Sequence, residues 1–488
     1  MIRNKSRIFI LCLLSVFASY GQQNESISKN SSDRKLIQGR TIATFYHDKL
    51  QKTILVNGAF DPGPWHTKHI EIWQWNNNDW ELISNTGPEV RNAFGWAYDH
   101  IRGKLVIYGG TVAHEANNRK WFSDTWEWDG KDWTQIETSA KPGIRFWAGM
   151  VYDPVKKTNI LFGGANEKFE LFNDTWAYNG KEWKQIFTQG PAPRRPATMF
   201  YFPPTKKVYI YGGHAQVNAA QKAVIGDTWE LGETGWKEIE SDSAPGKQED
   251  AVVVFNKKAN EVWMVGGTNS LTEPKFVGTS WSFDGKKWQS IDIKGLSPRG
   301  GHSISYNPET KSLLLHGGFN IGGGPSLRDT WILEQNKKDW NCISGCIEEQ
   351  EQWVAKHPND TDALLTFIAA SYYAGKREKI ETLVSKATQS TGISRNTYRR
   401  IGNYLIALKY YTEGILCYEK VLTMEPQATD FYNLACIFAK VNNKDKAFTS
   451  LSKAIELGFN SKQKIESDKD LESLKADSRW NVLMEKLK

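Results

Sequence analysis

Cysteine, methionine and proline are scarce here, with 5, 6 and 17 copies respectively among 488 residues. No cysteine falls between residues 36 and 341, so most of the chain can build neither a disulfide framework nor a thiolate metal site. No two histidines stand at a metal-site spacing with a supporting carboxylate, and neither a Gly-rich phosphate loop nor a serine-nucleophile elbow occurs. No apolar run reaches the ~18–20 residues needed to span a bilayer. A large excess of one charge is also missing: 62 Lys and Arg face 55 Asp and Glu, a formal net of +7. Hydrophobic residues at 40% and charged residues at 24% exclude wholesale disorder. The length exceeds what one core usually supports, so more than one domain is expected.

Tryptophan and glycine, by contrast, are plentiful, at 21 and 40 residues. So many indoles suggest one structural position filled repeatedly. Before the repeats begin, Arg3, Lys5 and Arg7 precede an apolar run from Ile8 to Ala18, and Ser19-Tyr20-Gly21 places small residues at a cut before Gln22. This pattern predicts a cleaved secretory signal peptide over 1–21 and a secreted or periplasmic product. Removing its three positive charges takes +7 to +4, which implies no general affinity for nucleic acid or anionic membranes. Residues 22–35 read as a flexible polar linker.

From residue 36 the chain repeats six times. One Trp recurs at Trp80, Trp133, Trp183, Trp236, Trp288 and Trp340. A second precedes it by seven residues at Trp73, Trp126, Trp176, Trp229 and Trp281, and by nine at Trp331. Glycine doublets lie in phase at Gly109-Gly110, Gly163-Gly164, Gly212-Gly213, Gly266-Gly267 and Gly317-Gly318, with Asn57-Gly58 in the first unit. Asp-Thr-Trp starts at Asp124, Asp174, Asp227 and Asp329, and Thr279-Ser280-Trp281 is a variant. Each unit holds four short β-type runs, and Asp129-Gly130, Asn179-Gly180 and Asp284-Gly285 supply hairpin turns. Four antiparallel strands in ~50 residues describe a propeller blade.

The doublet, the aromatic near the third strand and the Trp about seven residues on resemble the kelch propeller family over residues 36–344. That resemblance implies a six-bladed ring. It also raises two enzyme classes. Galactose-oxidase-like copper chemistry is excluded, because its Tyr–Cys crosslink has no Cys in this propeller. A sialic-acid-mutarotase-like site would need an acid/base pair beside an anion-binding arginine, for which Arg145, Arg195, Glu115 and His214 are candidates.

After residue 344 helix formers take over. Tyr398, Ile401, Gly402, Leu405, Gly414, Tyr418 and Pro426 are similar to a tetratricopeptide repeat, followed by Phe431, Leu434, Ala435, Phe438, Ala447, Leu451 and Ala454. Residues 362–388 look like a degenerate earlier copy, and Asp468 to Trp480 like a closing cap. The fold expected is thus an all-β six-bladed propeller over 36–344, then an all-α helical-repeat domain over 345–488.

Loops entering the first strand and joining the second to the third emerge on one face, and they carry the long insertions. Arg40, Arg91, Arg145, Arg195 and Arg299 recur there, eight residues before the acid or turn residue that ends each first strand. Gln248, followed by Glu249-Asp250, breaks the pattern in the fifth unit. Guanidinium groups at a channel mouth would bind carboxylates or acidic peptide segments; alternatively, each arginine holds loop carbonyls and fixes blade geometry. Trp65, His66, His69, His114, Trp121, Phe122 and His214 add aromatic and imidazole groups to the same loops. Cys342 and Cys346 can form a disulfide at the end of the sixth unit. The reading is a binding scaffold with protein or peptide partners and no cofactor, metal, nucleic acid or membrane span. The alternative is a carbohydrate-binding or sugar-modifying propeller with its site at the channel mouth.

Overall fold

The computed structural model describes residues 43–58, 68–77, 79–115, 118–196, 198–218, 221–269, 276–320 and 326–487. The expected signal peptide and linker lie outside them. The chain divides into two compact units after Cys346.

The first unit is a six-bladed β-propeller, and each blade is a meander of four antiparallel strands taken from one uninterrupted stretch of chain. Blade 3 shows why the sequence folds this way. Its strands are Gly149–Asp153, Thr158–Phe162, Thr175–Tyr178 and Trp183–Phe187. The second strand is buried on both faces, with Ile160 and Leu161 inaccessible, because neighbouring sheets cover it from either side. The fourth strand is more open, with Lys184 and Gln185 exposed and only Trp183 buried, as befits the outer edge of a blade. Asn179 Oδ1 accepts from the amides of Lys181 and Glu182 and shapes the hairpin between the third and fourth strands.

The two tryptophan series do different work. The first caps its own blade: Trp126, Trp176 and Trp229 donate Nε1–H to Asp124, Asp174 and Asp227 at 2.7–2.8 Å. The second bridges to the preceding blade. Trp183, Trp236 and Trp288 donate to Thr125, Thr175 and Thr228 at 2.9–3.0 Å. Trp80 of blade 1 donates to Thr330 of blade 6 at 3.0 Å, so the same latch closes the ring. Among the described residues no strand is exchanged across this seam.

The glycine doublet follows from crowding. Gly109 and Gly110 have φ of 68° and 99°, and a Cβ on Gly109 would stand 2.3 Å from the Arg145 carbonyl oxygen. Only glycine accepts both the backbone and the approach. Two blades carry insertions on the long-loop face. Blade 2 has a separate ribbon, Thr111–Glu115 with Asn118–Trp121. In blade 4 the second and third strands run on as Lys207–Asn218 and Gln221–Leu231.

The second unit is all-α. Its first helix is α1 (Ile347–Lys356). Three antiparallel pairs follow: α2 and α3 (Thr361–Tyr373, Arg377–Gln389), α4 and α5 (Arg395–Ala407, Tyr411–Leu422), and α6 and α7 (Ala428–Lys440, Lys444–Glu456). The degenerate copy is a complete helix pair. Gly402 lets α4 and α5 close, since a Cβ there would lie 3.0 Å from the Tyr418 ring. Asp360, Ser394 and Asn443 cap their helices through side-chain oxygens. The closing segment forms α8 (Lys462–Ser467), a 3-10 turn (Lys469–Leu474) and α9 (Ser478–Glu485), which bury Ile465, Leu471, Leu474 and Trp480.

Candidate functional site

The phased arginines divide into two kinds. Arg91, Arg145 and Arg299 are buried, at 2% exposure or less. Each reaches the first carbonyl of the next glycine doublet and the Asp of its own Asp-Thr-Trp. Arg145 donates Nη1–H to Gly163 O at 2.9 Å, forks onto Asp174 at 2.6 and 2.7 Å, and donates Nε–H to Pro142 O at 3.1 Å. Arg299 repeats this with Gly317 O and Asp329, and Arg91 with Gly109 O and Asp124. These groups are consumed inside the blades, which withdraws them from the channel mouth. Arg40 lies outside the described residues.

In blade 4 the staple is Arg194, one residue earlier than the sequence count places it. Arg194 bonds Gly212 O at 3.1 Å and Asp227 at 2.7 and 2.8 Å. Arg195 is thereby released. Its guanidinium lies 3.8 Å over the Trp147 ring, and among the described residues it has neither a hydrogen bond nor an ion pair. Its strand neighbour is the buried His214.

Blade 5 departs further. Gln248 occupies the arginine slot and Thr279 the aspartate slot, so both charges are lost together. Gly266 N bonds Thr279 O as Gly163 N bonds Asp174 O, which fixes the equivalence. Gln248 Oε1 and Trp281 Nε1 are left buried with no partner among the described residues. The next two residues, Glu249 and Asp250, present carboxyls toward Arg195. Burial is the main cause of a Glu249 pKa raised to about 8; Asp250 adds to it and Arg195 opposes it. Burial also pulls Arg195 down to about 10, against the two carboxylates. Asp250 sits at φ 56°, as Trp147 does at 54° in the same position of blade 3. Both hold the left-handed backbone that turns the chain into the first strand.

Beside Trp147 stands an aromatic group. Phe146 packs 4.8 Å from both Trp147 and Trp121, and Phe169 meets Phe146 and Trp121 edge-on at 5.4 and 5.9 Å. Phe169 is 43% exposed. The strip thus runs from aromatic rings in blades 2 and 3, through one cation in blade 4, to two carboxyl groups in blade 5. It can offer stacking surface, donors and an acid held protonated near neutral pH.

The other candidates fall elsewhere. Phe122 is buried beneath the Arg91 guanidinium at 3.6 Å. His69 Nδ1 bonds Gly87 O at 2.7 Å. His114 and Glu115 lie on the blade 2 ribbon, but their side chains, like Trp65 and His66, are outside the described residues. Cys342 and Cys346 form a disulfide with Cα atoms 5.9 Å apart. Among the described residues one group, Cys436, Asp468 and Asp470, has metal-ligand atoms within reach of each other. There Lys440 already pairs with Asp470 at 2.8 Å, Tyr432 donates to Asp468 at 2.5 Å, and burial pushes the Cys436 thiol up to about 12. It does not fit a metal.

A family model described as Attractin/LZTR1 beta-propeller matches residues 58–257, and one described as Tetratricopeptide repeat matches residues 396–427. The chain is a six-bladed propeller followed by tetratricopeptide-type helices. No curated protein matches it. A solved structure titled "Structure of YjhT" is similar at 13% identity and a TM-score of 0.48, over 63% of this chain and 97% of that one. No described helix is long and apolar enough to cross a membrane.

Proposed function

We propose that this is an exported binding protein that holds a protein or peptide partner on the long-loop face of its kelch-type propeller and a second segment in its helical array. The carrying observation is the strip of Trp121, Phe169, Trp147, Arg195, Glu249 and Asp250. It sets a cation without a hydrogen bond among the described residues beside the half-buried Trp147 and Trp121 and the exposed Phe169, on the face that also bears both ribbons, and aromatic and Arg side chains dominate binding hot spots. Export is supported by the basic and apolar pattern of residues 3–18 and by the Cys342–Cys346 disulfide, which persists in oxidising compartments. The test is recovery of partners from envelope fractions by tagged wild-type protein and by R195A and F169A. Partners lost with both variants support the reading. Identical recovery by all three proteins would refute it.

One observation favours a second reading, a sugar-binding or mutarotase-like site. Glu249 is held protonated near Arg195, an acid/base group beside a cation that can take an anionic sugar. Binding on a glycan array that disappears in E249Q and R195A, with anomer exchange of the bound sugar followed by NMR, would select it over the first.

A further inference from the structure

Strands one and two, and strands three and four, are joined on the opposite face of the ring. There all twelve joins among the described blades are short turns. The six turns of blades 4–6 carry eight lysines: Lys206, Lys257, Lys258, Lys286, Lys287, Lys311, Lys337 and Lys338. All eight are exposed. They share these turns with four acids: Glu233, Asp284, Glu309 and Asp339. Among the described residues none of the eight lysines forms an ion pair, and Lys258 rests on the neutral Asn336 at 2.6 Å. Asp284, though exposed, spends Oδ1 on the amides of Lys286 and Lys287.

Blades 1–3 differ in both respects. Three of their six basic turn residues form ion pairs, and a fourth bonds a carbonyl. Arg102 pairs with Asp99 and Glu127, Lys131 with Asp132 and Lys156 with Glu233, while Lys49 donates to Arg102 O. Their turns between strands one and two instead expose aliphatic side chains: Leu50 at 37%, Ile101 at 52% and Val155 at 55%. Exposed aliphatics recurring at the same turn of three successive blades mark a contact surface.

We infer that this short-turn face docks on an anionic lipid surface, with the aliphatic arc entering the headgroup boundary and the lysine arc facing the lipid charge. Three features favour a bilayer over a soluble acidic partner. The described joins on this face are tight turns. Its cations are lysines, point charges suited to diffuse attraction and not to forked recognition of single carboxylates. Aliphatic and cationic arcs also lie side by side on one face, the pairing that interfacial proteins use. A net charge of +4 conceals this, because it averages paired and unpaired cations.

The test is sedimentation of the full chain with phosphatidylcholine vesicles, with and without about 30% phosphatidylglycerol. The protein should partition onto the anionic vesicles only, and should be released as salt rises from about 0.05 to about 0.5 M. Each lysine near such a surface contributes roughly fivefold in partition. The variant K257A/K258A/K286A/K287A should therefore lose at least about 100-fold. L50S/I101S/V155S should lose about tenfold or more while leaving the salt dependence intact. All seven positions are exposed turn residues, and an unchanged circular dichroism spectrum certifies the fold. Equal partition onto neutral and anionic vesicles overturns the inference. So does absence of vesicle binding, including the case where soluble polyglutamate is bound through the same lysines.

Discussion

The buried arginine staples can be challenged with a substitution that the chain itself supplies. R145Q alone would strip Asp174 of both guanidinium bonds and leave Gly163 O and Pro142 O without their donor. Removing one partner of a buried ion pair costs about 3–5 kcal/mol. Asp174 keeps its bonds from Trp176 and Gln185, so the lower end applies, about 3 kcal/mol. R145Q/D174T copies the Gln248 and Thr279 pair of blade 5, which removes both charges at once. It forfeits the Trp176 bond, as Trp281 already does without, at a cost of about 1–2 kcal/mol. The double variant should thus be more stable than the single one by roughly 1–2 kcal/mol. Urea unfolding followed by tryptophan fluorescence, with equal m-values, reads the difference directly. A double variant no more stable than R145Q would refute the argument that charge balance governs this slot.

Other outcomes follow from neighbouring features. T330V removes the acceptor for Trp80 across the ring seam together with the His316 contact to the same hydroxyl, and should cost about 2–3 kcal/mol in urea midpoints; T125V, which removes the acceptor for Trp183, should cost about 1–2 kcal/mol by the same measurement. Glu249 has a folded pKa raised from the usual 4.5 to about 8, so the folded state binds more protons than the unfolded one between those values. Stability should accordingly fall as pH rises through that window, and E249Q should flatten the fall and exceed wild type above about pH 8 in denaturant titrations. The Cys342–Cys346 bond closes a loop of only four-residue separation, so reducing it should cost about 2 kcal/mol in urea midpoints without abolishing the ring.

The ring and the helix pairs were legible because their signals are local and periodic. Indole spacing reports the blade repeat whatever the chain does elsewhere. The site was only half legible. The tandem Arg194-Arg195 gives two residues for one slot, and the spacing rule chose the one that the structure sets free. Glu249 and Asp250 were visible as a break in pattern, yet their meaning depends on facing Arg195 from the next blade. That pairing is long-range and leaves no mark in sequence spacing. Trp147 and Phe169 were missed for the same reason, although the Phe146-Trp147 pair directly after Arg145 was a usable signal. The lysine arc was hidden by arithmetic: a total charge does not record which cations already have partners.

Because every blade is one unbroken stretch, a whole module can be lifted out at its turns without tearing a strand from its neighbours. The seam between first and last is then held by the same side-chain latch as the joints made by Trp183, Trp236 and Trp288, so it is no weaker in kind than they are. Duplication, loss or reordering of modules changes the ring's circumference without breaking a strand, although the joints at Trp133 and Trp340 pack without that bond. Such a design lets one blade, here the fifth, surrender its staple while the staples of blades 2, 3, 4 and 6 keep the geometry that its altered rim depends on.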